Sequence, residues 1–263
     1  MSGTSDRAAR TSRERRRRPP SVYVGGRRAV LESIRSGAAR EIAVSARAPS
    51  AGLSEVLEAA EAAGVRVRTV DPRELDGLAP DHHGCVVRVA LPRELSEREL
   101  ASSDLGDDPV VVVLDGVTDP QNLGAAARSA EAAGAAMLVT RERRSAGVTS
   151  AAVRASAGAL LHLPHARVAN ITRALERLKA RGFTVVGLDA SAERTIHQEP
   201  CPAGPVALVV GAEGRGISRL VRETCDHLVA LPMLGRVESL NASAALAAGL
   251  FAYVLPTRGD RRR

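Results

Sequence analysis

Residues 110–124 read Val110-Val111-Val112-Val113-Leu114-Asp115-Gly116-Val117-Thr118-Asp119-Pro120-Gln121-Asn122-Leu123-Gly124. The opening run is apolar and mostly β-branched, which suits a strand covered on both faces in a parallel sheet. Asp119-Pro120 and Asn122 are turn formers, and Asn122 is a candidate cap for the helix that follows. Working outward, the spacing predicts a helix over 125–133, stopped by Gly134, and a strand over 136–140. A helix over 171–181 and strands over 184–189, 206–210 and 228–231 follow, and residues 240–254 form a last helix. Strand and helix alternate, so the fold class is α/β with a parallel sheet and helices on both faces.

Upstream, a helix is expected over 27–35, a strand over 41–45, a helix over 53–63 and a strand over 65–70. A short helix over 72–78 capped by Asp71 and a strand over 85–91 complete a small α/β unit. The expected organisation is a basic disordered arm over 1–20, a small domain over 21–92 and a linker over 93–109. A large domain follows over 110–257, then a basic tail over 258–263. Within the linker, residues 94–100 could form a helical turn or two.

The formal net charge is +7, with arginine runs at Arg15 to Arg18 and Arg261 to Arg263. A basic balance favours an anionic partner such as nucleic acid, although tails of this kind also serve solubility alone. Cys85, Cys201 and Cys225 are far apart, which argues against a zinc site and a disulfide framework and for a reducing cytoplasm. No metal site is expected, and His82, His83, His162, His165, His197 and His227 show no ligand spacing. The longest apolar run, 240–255, falls short of the ~20 residues of a membrane span.

Ligands of such sheets bind beyond the carboxyl ends of the strands. Three loops there carry chemistry. The first is the 115–124 loop with Arg128 in the helix behind it, a cation for an anionic ligand. The second is Gly211-Ala212-Glu213-Gly214-Arg215-Gly216, where glycines let a ligand approach the backbone and Glu213 offers a carboxylate. The third is Leu231-Pro232-Met233-Leu234-Gly235-Arg236-Val237-Glu238-Ser239-Leu240-Asn241-Ala242-Ser243. There Ser239 is either a plain N-cap or a site residue, and Asn241 in an apolar helix start needs a partner for its amide. A dinucleotide oxidoreductase is excluded by placement: it needs its glycines at the first strand and an acid ~20 residues on.

Taken together, these loops resemble the three motifs of the SpoU, or TrmH-like, family of RNA ribose 2′-O-methyltransferases. The likeness runs from Val110 to the last helix. Gly26-Arg27-Arg28-Ala29-Val30-Leu31-Glu32 and His83-Gly84-Cys85-Val86-Val87 resemble the small ribosomal-protein-like domain of the RlmB subgroup. The resemblance implies a C-terminal trefoil knot and a homodimer. It implies S-adenosylmethionine held against Gly211, Gly214, Leu231, Met233 and Leu240. It places Arg128, with Asn122, Glu213, Ser239 and Asn241, at the reaction, and a guanosine of large-subunit ribosomal RNA as substrate. A resistance-conferring ribosomal RNA methyltransferase, a transfer RNA methyltransferase and a catalytically inactive RNA-binding protein are the alternatives.

Overall fold

The computed structural model describes residues 20–47, 52–237 and 239–258. The arginine arm, the closing arginines and Glu238 lie outside the described residues. The chain divides into two units, Met1–Arg93 and Glu94–Arg263.

In the first unit the sheet order is β1(Ser21–Gly25), β4(Cys85–Ala90), β2(Ala39–Ser45), β3(Val67–Val70). β4 is antiparallel to β1 and β2, while β2 and β3 are parallel. Helices α1(Arg27–Arg35), α2(Ser54–Ala62) and α3(Pro72–Leu78) complete the unit. Asp71 caps α3 by accepting from the Arg73 amide, with Pro72 at the first helical position where no amide is needed. α3 buries Leu75 against Ala43, Val70 and Val86.

The second unit alternates strand and helix except between residues 188 and 206, where one strand follows another with no helix between them. Its six strands run parallel in the order β10(His227–Val229), β8(Thr184–Leu188), β9(Val206–Gly211), β5(Val110–Asp115), β6(Met137–Arg141), β7(His165–Val168). Why β5 reads as unbroken apolar sequence is now plain. Val110, Val112 and Leu114 face one core with α5(Pro120–Ala132), α6(Ser150–Ala155) and α9(Ala242–Ala248). Val111 and Val113 face another with α4(Glu97–Ser102), α7(Ile171–Lys179) and α8(Arg219–Thr224).

Several expectations change. Within the stretch expected as a linker over 93–109, where residues 94–100 could form a helical turn or two, α4 forms, opened by a capping box between Ser96 and Glu99, and buries Leu100 in the second unit. α5 starts at Pro120 rather than 125, because Asp119 and not Asn122 is its cap. The last helix starts at Ala242, because Asn241 and not Ser239 is its cap. From Gly249 to Val254 it widens into π-turns. β1, α6 and β7 were not expected at all.

Candidate active site

β5 and β9 are paired at the point where the strand order reverses, with Asp115 opposite Gly211. The crevice beyond these ends is where such a sheet takes a ligand. The Asp115 carboxylate is buried and accepts from the Ser218 amide at 2.8 Å, so it anchors the far side of the 211–216 turn. That turn is tight. Gly216 donates its amide to Ala212 O at 2.8 Å, and a Cβ on Gly211 would lie 1.9 Å from the Gly216 carbonyl carbon. Gly214 and Gly216 hold φ of 75° and 64°, the left-handed region that glycine enters without steric cost.

Beside the turn lies a cavity of about 360 Å³, within the usual size of a small-molecule site. Gly211, Gly214, Leu231, Met233 and Leu240 line it, as do Glu213 and Ser239. Its fourth side is Leu188, Asp189, Ala190 and Ser191, at the carboxyl end of β8. Sequence reading passed over Asp189, although the strand-end rule that found the other loops applies to it equally. Asp189 Oδ1 accepts from the Ser191 amide and hydroxyl at 2.8 and 2.7 Å. Arg222 of α8 holds the pair from outside, 3.3 Å from Asp189 Oδ2 and 2.8 Å from Ser191 Oγ.

Asn241 joins the three loops. Its Oδ1 caps α9, accepting from the Ser243 amide at 2.9 Å and the Ser243 hydroxyl at 2.7 Å. The cap fixes which way the amide faces, so Nδ2 donates the other way: to Asn122 Oδ1 at 2.9 Å and to Glu213 Oε2 at 3.2 Å. Residues 119 and 28 positions away in sequence are thereby tied at one mouth of the cavity. The amide that sequence reading flagged as needing a partner has two.

Arg128 stands apart from this cluster. It is exposed on α5 and is not among the residues that line the cavity. Six residues separate it from Asn122, about 9 Å along the helix axis. Helical side chains lean toward the N-terminus, the end of α5 at which Asn122 lies. Among the described residues no cluster of His, Cys, Asp and Glu could hold a metal ion, and no helix is long and apolar enough to cross a membrane. The three thiols are free.

Residues 109–253 match the SpoU rRNA Methylase family, and residues 23–95 match the RNA 2′-O ribose methyltransferase substrate-binding family. The chain is similar to the 23S rRNA (guanosine-2′-O-)-methyltransferase RlmB of Ralstonia nicotianae, 44% identical over 77% of this chain and 82% of that one. It is similar also to YacO of Bacillus subtilis, named for the TrmH family of tRNA/rRNA methyltransferases, 40% identical over 88% of this chain and 93% of that one. Among solved structures, the SpoU methyltransferase AviRb of Streptomyces viridochromogenes in complex with AdoMet superposes with a TM-score of 0.73. It is 26% identical and covers 98% of this chain and 95% of that one. The cavity described above fits such a cofactor: Leu231, Met233 and Leu240 offer apolar surface to a base, and the 211–216 turn brings backbone groups to the wall with no Cβ at Gly211 or Gly214. The chain belongs to the SpoU family of RNA ribose 2′-O-methyltransferases, enzymes that use S-adenosylmethionine.

Proposed function

We propose that this enzyme methylates the ribose of a guanosine in large-subunit ribosomal RNA, acting in the cytoplasm as a homodimer. The observation that carries the reaction is the Asn241 amide bridging Asn122 and Glu213 at the mouth of the cavity. The substrate reading rests on the similarity to RlmB and on the first unit, which matches the substrate-binding family.

When bound, the cofactor supplies a methyl group on a sulfonium, already a strong electrophile. What remains for the chain is to place the ribose oxygen in line, about 3 Å away, and to ease the loss of its proton. Gly211, Gly214, Leu231, Met233 and Leu240 hold the cofactor. Asn241, Asn122 and Glu213 form a rigid polar rim, with Ser239 beside it, that orients the ribose. Arg128 works as a cation: a guanidinium does not serve as a base in a protein. It holds the neighbouring phosphate and stabilises charge developing on the oxygen. The exposed apolar side chains Leu234, Val237 and Phe251 support a second copy as their partner. The implied knot draws support from the segment after β8, where Ile196 and Cys201 pack in one core with Leu246 and Val254, and Pro200 O accepts from the Tyr253 hydroxyl.

Mapping 2′-O-methyl positions in ribosomal and transfer RNA with and without the gene tests the substrate. Loss of one guanosine mark in large-subunit RNA is expected. Loss confined to transfer RNA would overturn the choice of substrate while leaving the reaction intact.

A further inference from the structure

The arginines of the second unit are mostly occupied. Arg173 and Arg177 share Glu97, Arg219 pairs with Glu223, Arg222 pairs with Asp189, and Arg181 donates to the Leu100 and Ser103 carbonyls. Among the described residues, the guanidinium groups of Arg141, Arg143 and Arg144 are not, and neither are those of Arg98, Arg128, Arg215 and Arg236, but only these three cluster on one short stretch of chain; Arg143 and Arg144 are exposed.

All three stand at the carboxyl end of β6, the end of the sheet at which the site lies. The loop that carries them is pinned on both sides. Toward β5, the Ala146 amide donates to Val117 O at 2.9 Å, and Val117 belongs to the turn that leads to Asn122. Toward β7, the Glu142 amide donates to Val168 O at 2.9 Å, and the Arg167 guanidinium donates to Glu142 O at 2.6 Å. Between the two anchors Arg144 holds φ of 59°, a conformation that non-glycine residues enter at a cost. β6 is two strands from β9, about 10 Å, so the loop stands at the same end of the sheet as the Asn122–Glu213–Asn241 cluster. Three arginines face one glutamate, Glu142, within the loop, so it is net positive.

We propose that Arg141, Arg143 and Arg144 form a phosphate rail for the RNA strand that flanks the methylated nucleotide. The strand leaves the site across the carboxyl ends of β5 and β6. Guanidinium groups match phosphate geometry, and a chain with no Trp, two Tyr and two Phe has little means of gripping RNA by stacking. Contacts of this kind position the RNA without reading its sequence. The proposal rests on the RNA methyltransferase reading above.

The test uses the full chain and a labelled single-stranded oligoribonucleotide of about 12 nucleotides, long enough for one such groove. Binding is titrated over a range of salt for the native protein, for Arg143→Ala with Arg144→Ala, and for Arg98→Ala with Arg177→Ala. The last pair removes the same charge from α4 and α7, on the opposite face of the sheet. In the first double variant the slope of log affinity against log salt should fall by about 1.4, since each lost single-strand phosphate contact contributes ~0.7. S-adenosylmethionine affinity, measured by calorimetry, should be unchanged, and the α4/α7 variant should keep the native slope. A native slope in the Arg143/Arg144 variant, or an equal drop in the control, sinks the rail. Failure of the native protein to bind S-adenosylmethionine would instead remove the functional reading beneath it.

Discussion

At Asn241 one amide caps a helix with its oxygen and ties two other loops with its nitrogen. The two tasks separate in Asn241→Asp. Aspartate caps as well as asparagine, so stability should stay within about 0.5 kcal/mol. It cannot donate, however, and it sets a second carboxylate against Glu213 where a 3.2 Å hydrogen bond stood. Methyl transfer should therefore fall ten- to a hundredfold at unchanged melting temperature, the equivalent of about 1–3 kcal/mol for a lost polar contact. Equal losses of stability and activity would mean the amide is only a cap. Arg128 gives the complementary case. Arg128→Ala should abolish turnover and leave cofactor affinity within a few-fold, because the residue does not line the cavity. Arg128→Lys keeps the charge but not the fork, and full activity in that variant would rule out bidentate phosphate contact. The need for partners at Asn241 was legible in the sequence, since a polar amide in an apolar helix start must be satisfied. Its partners were not, because they come from loops far away in the chain. Asp189 falls under the same strand-end rule, since it follows β8, but its loop carries no glycine-rich turn to draw the eye to it.

Among the elements, legibility followed burial. β5 was read from Val110 to Leu114 because both its faces are covered and every residue is apolar. β7 has only four residues, His-Ala-Arg-Val, and its histidine is buried against the usual pattern, so no periodicity betrays it. α6 is six residues long, too short for an amphipathic period to show. Helix starts were misplaced for a related reason: several cap residues stand close together, and only the backbone decides between Asp119 and Asn122, or Ser239 and Asn241. Close approaches are equally silent in sequence. A Cβ on Gly124 of α5 would lie 2.4 Å from Ala152 O and 2.6 Å from Ala155 Cβ, so the α5–α6 crossing needs glycine. Helix propensity alone would make Gly124→Ala stabilising by about 1 kcal/mol. The clash meets backbone that cannot swing aside, and overpacking of this kind costs about 1–3 kcal/mol. Urea unfolding should show net destabilisation; a gain would mean that the helices part freely. Gly211→Ala should act elsewhere. Its Cβ would strike Gly216 backbone, so the 211–216 turn must open, and cofactor affinity should weaken about tenfold or more by calorimetry.

For the molecule as a whole, the net charge of +7 comes from the arginine-rich ends of the sequence, while stability in acid depends on a buried base within the second unit. His165 sits on the edge strand β7, 5% exposed, with Nε2 at 2.8 Å from Thr140 Oγ1 and Nδ1 buried without a partner. Burial first, and then the neighbouring Arg167 cation, push its imidazole down to about 4 from the usual 6.5. The folded state therefore refuses a proton that the unfolded chain accepts. Above about pH 6.5 neither state is protonated and His165 has no effect on the balance. As the pH falls below that value the unfolded state gains the proton alone, so stability declines with falling pH until the folded pKa near 4 is passed. A separation of this size costs about 2 kcal/mol by pH 5 and about 3 kcal/mol in the limit. His165→Gln retains a hydrogen-bonding group for Thr140 but does not titrate. Urea unfolding at pH 7.5 and pH 5 should show the native protein losing about 2 kcal/mol more than the variant over that interval. If the two decline in parallel, His165 takes up its proton in the folded protein at its ordinary pKa, and the acid lability lies with other groups.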